Sequence, residues 1–106
     1  MKYGLPDTAI EKINAVFASF PEVKKVVLYG SRAKGDYKPG SDIDLTMHGA
    51  ALDTSLCGDI ADKLDELLLP YMIDLSVFAY LKHPELEAHI ERVGVVFYER
   101  NDGVSR

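Results

Sequence analysis

Apolar positions fall into blocks that switch between a helical and a strand period along the chain. From 6 to 19, Ala9, Ile13, Val16 and Phe17 recur every three to four residues, with Phe20 continuing the face, and predict a helix packed on a sheet. Pro6 and Asp7 supply its start and Pro21 its stop. Val23–Tyr29 reads as a strand, in which Val26, Val27 and Leu28 form a short β-branched apolar run bounded by Pro21 and Gly30, the pattern of an interior strand. Ser31–Gly35 reads as one helical turn ended by glycine, 36–40 as a polar loop, and Ser41–His48 as the second strand. Leu52, Leu56, Ile60, Leu64 and Leu67 or Leu68 mark a helix from Asp53 to Leu69, with Asp59, Asp62, Lys63, Asp65 and Glu66 on its outer face and Pro70 as its stop. Gly58 inside this helix costs roughly 1 kcal/mol against alanine, so it is expected to serve close packing.

Met72–Phe78 alternates Ile73, Leu75 and Val77 with Asp74 and Ser76, a third strand with one apolar face. Pro84–Val93 is the last helix, with Leu86 and Ile90 inward and Gly94 as its cap, and Val95–Tyr98 a short edge strand. The expected fold is α+β: a small mixed sheet of three to four strands with helices packed against it. Residues 1–100 make a single domain, since 106 residues cannot supply two cores, and the tail, 101–106, is expected to fray along with Glu99 and Arg100 before it.

Composition narrows the function. Asp and Glu number 17 against 12 Lys and Arg, a net charge of −5, which argues against stable sequence-independent nucleic-acid binding. The single cysteine, Cys57, can build neither a disulfide framework nor a zinc site and reads as a small filler of the helix interior. With no signal-peptide core and no apolar run near ~20 residues, the expectation is a cytoplasmic protein without membrane association.

The chemistry concentrates between Leu28 and Leu45. Asp42 and Asp44 are one residue apart on a predicted strand, so both carboxylates leave one face, ~7 Å apart along the backbone. Two such acids repel unless a cation lies between them, and a hard divalent ion with oxygen ligands suits them. If the second and third strands pair side by side, Asp74 joins the group, and three carboxylates can hold two metal ions. Upstream, Gly30 lets the backbone approach a phosphate, Ser31 adds a hydroxyl, and the turn they begin presents N–H groups to an anion. Arg32 and Lys34 can offset phosphate charge, although only one need face inward. The order of parts reads as phosphoryl or nucleotidyl transfer, in which positioning and electrostatics carry most of the catalysis. His48 reads as a strand-end histidine, His83 and His89 as surface residues, and Tyr37 as a loop tyrosine or a platform for a base.

Gly30-Ser31-Arg32-Ala33-Lys34-Gly35, five residues, then Ser41-Asp42-Ile43-Asp44-Leu45 resembles the signature of the DNA polymerase beta-like nucleotidyltransferase superfamily. In length the chain resembles the minimal nucleotidyltransferase proteins, often the antitoxin half of HEPN/MNT toxin–antitoxin pairs. The resemblance implies Mg2+-dependent transfer of AMP from ATP. Gly30, Ser31, Arg32, Lys34 and Ser41 would lie at the nucleotide, and Asp42, Asp44 and Asp74 would be metal ligands and catalytic acids, with Asp74 the base for the acceptor. It also implies a HEPN ribonuclease toxin as partner and a tyrosine hydroxyl on it as acceptor. Two alternatives stay open: a binding-only antitoxin acting by occlusion, and a small-molecule enzyme of the aminoglycoside-modifying type, which would need a further domain. Homo-oligomerisation is open as well.

Overall fold

In the computed structural model, which describes residues 1–101, a four-stranded mixed sheet is flanked by helices on both faces. The elements are α1 (Asp7–Ala18), β1 (Lys25–Tyr29), α2 (Ser31–Lys34), β2 (Ile43–His48), α3 (Thr54–Asp65), β3 (Ile73–Val77), a 3-10 turn (Phe78–Tyr80), α4 (Pro84–Val93) and β4 (Val95–Glu99). The strand order is β3-β2-β1-β4, with β2 and β3 parallel and the other pairs antiparallel. A parallel pair needs a long crossover, and α3 provides it. Among the described residues no helix is long and apolar enough to cross a membrane.

The period-2 pattern decides which face each strand residue takes. Leu28, Ile43, Leu45, Met47 and Val77 join Ile13 and Phe17 of α1 and Ile60 and Leu64 of α3 in the main core. The opposite face carries Val27 and Tyr29, covered by Ile90 of α4 with Phe78, Leu86 and Val93 beside it. That second face is also where Asp44, Thr46 and His48 of β2 emerge, by alternation from the buried Ile43, Leu45 and Met47.

Three expectations are corrected. The helix expected to run to Leu69 ends at Asp65. Pro70 disfavours the helical conformation of Leu69, and the chain turns through Leu68 in the left-handed region at φ 55°. Leu68 therefore points outward, 88% exposed, instead of extending the apolar face. Gly58 does not serve close packing: a Cβ there would meet nothing within 4 Å. Gly94 caps α4 as expected, donating its N–H to the Ile90 carbonyl at 2.7 Å from an extended conformation (φ −64°, ψ 145°), and it is also required for space, because a Cβ would run into the Ile90 carbonyl and the Val27 side chain. Glu99 and Arg100, expected to fray, are ordered: β4 runs through Glu99, and the Arg100 guanidinium donates to the carbonyls of Val23, Ala18 and Phe20 at 2.9–3.0 Å. The tail predicted for 101–106 lies, beyond Asn101, outside the described residues.

Candidate active site

The site forms where β1 hands over to α2 and where β2 and β3 run side by side. Register places Tyr29 opposite Asp44 and Asp44 beside Asp74, so three side chains form one row across the sheet. The condition under which Asp74 would join the other acids, pairing of the second and third strands, is thus met. Asp42 lies just ahead of β2, which begins at Ile43 and not at Ser41 as expected. Its charge still acts on Asp44: burial, then Asp74, then Asp42 push the Asp44 carboxyl above the usual carboxylate range, and His89 of α4 pulls the other way. Asp42 and Asp74 are exposed while Asp44 is half-buried.

Beneath this row runs a layer the sequence did not single out. Thr46 is fully buried, and the Ser76 hydroxyl donates to its Oγ1 at 2.9 Å. Burial, then the charges of Asp74 and Asp44, raise the Tyr29 phenol above the usual value, and the neighbouring Ser76 hydroxyl pulls the other way. His89, expected on the surface, meets the Tyr29 ring edge-on with centroids 6.3 Å apart. Only alternation along β3 and the helical phase of α4 hint at this in the sequence; the contacts depend on how α4 crosses the sheet.

Gly30 takes φ 76°, a conformation open to glycine, and its α-carbon faces Asp44 so closely that a Cβ would collide with the Asp44 carboxylate. Gly30→Ala is therefore expected to cost about 1–2 kcal/mol through the left-handed backbone alone and to push Asp44 out of the row. Chemical denaturation and Mn2+ titration of the variant check both effects. Retained stability with unchanged Mn2+ affinity would show that the approach is not tight.

Ser31 opens α2, a single turn closed by Lys34 N–H to the Gly30 carbonyl at 3.0 Å and Gly35 N–H to the Ser31 carbonyl at 2.9 Å. First-turn N–H groups have no acceptor within a helix, so this corner can receive an anion.

The two cations diverge. Lys34 is exposed and pairs with Asp36 at 3.6 Å, a surface contact of little energetic weight. Arg32, one of the two cations the sequence offers to the phosphates, is turned inward and is 2% exposed. Its guanidinium donates to the Ser41 carbonyl at 2.8 and 3.1 Å, to Tyr3 at 2.8 Å and to Pro39 at 3.3 Å. It lies between the rings of Tyr37 and Tyr71, 5.3 and 5.2 Å from their centroids. Arg32 thus corrects the expectation: a planar fork with several donors is used to tie the 36–41 loop to the N-terminal segment. Tyr37 is engaged in the same stack. Ser41, also expected beside the nucleotide, accepts the Lys38 N–H on its Oγ at 2.8 Å and so closes its own turn.

His48 stacks on Phe78 at 4.8 Å, four residues along β2 from Asp44, and burial followed by Lys25 lowers its pKa. It lines a cavity of about 300 Å3 with Val27, Ile90 and Val96, away from the acids. His83 caps α4 by accepting the Leu86 N–H on Nδ1 at 3.0 Å. Cys57 is half-buried and burial raises its thiol pKa, in keeping with an inert filler.

Asp42, Asp44 and Asp74 offer carboxylate oxygens, which suit a hard divalent ion. Among the described residues no three His, Cys, Asp or Glu side chains already converge on one point. The acids present fit such an ion as one or two ligands, with the remaining positions left to phosphate and water.

Residues 11–103 match the family described as polymerase beta, nucleotidyltransferase. No curated protein sequence matches the chain. Several solved structures share the fold. A chain of a toxin–antitoxin complex with AMP-PNP is 23% identical, with 92% of this chain and 76% of that one covered and a TM-score of 0.68. A chain from the tri-AMPylated Shewanella oneidensis HEPN toxin in complex with MNT antitoxin is 21% identical, with 89% and 72% covered and a TM-score of 0.66. A chain of the MntA-HepT toxin–antitoxin is 21% identical, with 90% and 74% covered and a TM-score of 0.65.

Proposed function

Because the chain belongs to the polymerase beta nucleotidyltransferase family, we propose that it transfers AMP from ATP to a hydroxyl on a protein partner and acts as the antitoxin of a HEPN-type toxin. The observation that carries this reading is the register of Asp44 beside Asp74, next to the Gly30–Ser31 turn. Solved structures of similar fold support it, since one contains AMP-PNP and another an AMPylated HEPN toxin.

In this reading Gly30 and Ser31 hold the triphosphate, and Lys34 supplies the nearby exposed cation. Asp42 and Asp44 would hold one Mg2+ between them, and Asp74 would serve a second ion beside it. Magnesium, when bound, offsets the triphosphate charge and lets the acids and phosphates share one site. Asp74 takes the proton from the acceptor hydroxyl. The acceptor oxygen then bonds to the α-phosphorus, the bond from that phosphorus to the bridging oxygen breaks, and pyrophosphate leaves.

Incubation with α-labelled ATP, Mg2+ and a HEPN-type partner is expected to place label on a partner tyrosine and release pyrophosphate. No label on the partner, with the two proteins shown to bind, would sink the catalytic reading. Neutralisation by occlusion alone is the second reading, favoured by the lack of three converged acids among the described residues. It would be supported if an Asp42→Asn/Asp44→Asn variant protected cells from the toxin as well as the wild type.

A further inference from the structure

We infer that Leu68 and Met72 form an apolar docking surface at the rim of the carboxylate row, for an acceptor protein that presents an apolar side chain flanked by lysine or arginine. The inference rests on the proposed function and names where the acceptor arrives. Met72 is the residue just ahead of β3 and precedes Asp74 by two positions, at the end of the sheet where the acids lie. The Ile43 N–H donates to the Met72 carbonyl at 2.8 Å, which sets Met72 beside the lead-in that carries Asp42. Met72 is 73% exposed and Leu68 88%. Among the described residues β3 is an edge strand, with no further strand beside it at this rim.

Two features separate this rim from a chance exposure of apolar side chains. Leu68 sits in the left-handed region at φ 55°, where glycine or asparagine would rest without steric cost. The turn is also anchored, because Tyr71 packs on the buried Arg32 guanidinium and Leu68 N–H donates to the Asp65 carbonyl at 3.1 Å. The protein thus holds a leucine and a methionine outward on a fixed support.

Charge selects the occupant. Exposed Asp62, Asp65 and Glu66 lie on the approach to Leu68, and exposed Asp42 and Asp74 lie beyond Met72. Lys63, the cation among them, is paired with Glu66 at 3.6 Å. Acids near Leu68 in the chain and acids near Met72 at the head of the strands favour a basic protein surface and repel another copy of this acidic chain.

The test compares the wild type, a Leu68→Ser/Met72→Ser variant and a Val96→Ser control. Val96 is 51% exposed on β4, the opposite edge of the sheet. With a HEPN-type partner, α-labelled ATP and Mg2+, the double variant is expected to raise the KM for the partner about tenfold or more with kcat retained. AMP-PNP affinity is expected to stay within about twofold, and Val96→Ser to behave as the wild type. Unchanged transfer by the double variant overturns the inference. So does a parallel loss of AMP-PNP affinity, which would make Met72 a nucleotide contact, or a wild-type dimer that the substitutions dissolve. If the wild type labels no partner but binds it, size-exclusion chromatography of the complex decides. Loss of the complex in the double variant alone then upholds the docking surface while the transfer reading falls.

Discussion

An Asp44→Asn substitution is expected to lower nucleotidyl transfer by at least about a hundredfold while leaving the metal-free protein as stable as the wild type or more so. The carboxyl is half-buried beside Asp74 and Asp42, and all three influences resist its ionisation. A group harder to ionise in the fold than in the unfolded chain supports folding fully at pH below its unfolded value. That support is withdrawn as pH rises through its folded value. The metal-free wild type should therefore lose stability as pH climbs out of the acid range, and the asparagine variant should lose less. Added Mg2+ should restore the wild type and not the variant, because only the wild type gains by binding. Thermal midpoints at several pH values, with and without Mg2+, read all of this. A variant less stable than the wild type in metal-free buffer at neutral pH would show that the acids do not strain the site.

Arg32→Met is expected to cost about 4 kcal/mol in protein free of metal and nucleotide. The substitution keeps a long side chain but removes a buried charge. It orphans the carbonyls of Tyr3, Pro39 and Ser41, to which the guanidinium donates. It also removes the cation between the Tyr37 and Tyr71 rings. Domains of this size have roughly 5–15 kcal/mol of stability in all, so the variant should be marginal, with Tm lower by roughly 15 °C or more. Lysine should not rescue it, since one ammonium cannot span donors set in a planar fork. The outcome separates two roles. A phosphate ligand would leave the empty protein's Tm unchanged and weaken only nucleotide binding.

The local pattern carried much of this molecule. Apolar spacing in Ala9, Ile13 and Phe17 predicted α1 and its buried face, and all three are buried. Alternation around Ile43 and Leu45 predicted that Asp44 leaves the core, as it does. What spacing could not show is what meets what. The end of α3 depended on a left-handed Leu68, which an apolar run of Leu67–Leu69 conceals. The inward turn of Arg32 depended on carbonyls from Tyr3 and Pro39, residues on different segments. Position alone gives Gly58 a packing reason, which its open surroundings overturn, and Gly94 a capping reason, which holds but leaves out the crowding around it. Only the neighbours of a missing Cβ could tell open space from a crowded contact.

For the site the division is the same. The sequence by itself determined the parts: Gly30 and Ser31 after an apolar strand, Asp42 and Asp44 one residue apart, and an acid at Asp74 on an otherwise apolar stretch. These follow from residue type and a period of two, which are local properties. Only the tertiary structure decided that β2 and β3 pair in parallel with Asp44 beside Asp74, that Arg32 ties the loop down, and that Tyr29, Ser76 and His89 lie under and beside the acids. Register and side-chain direction are set by burial against residues distant in the chain, and no local spacing encodes which partner wins.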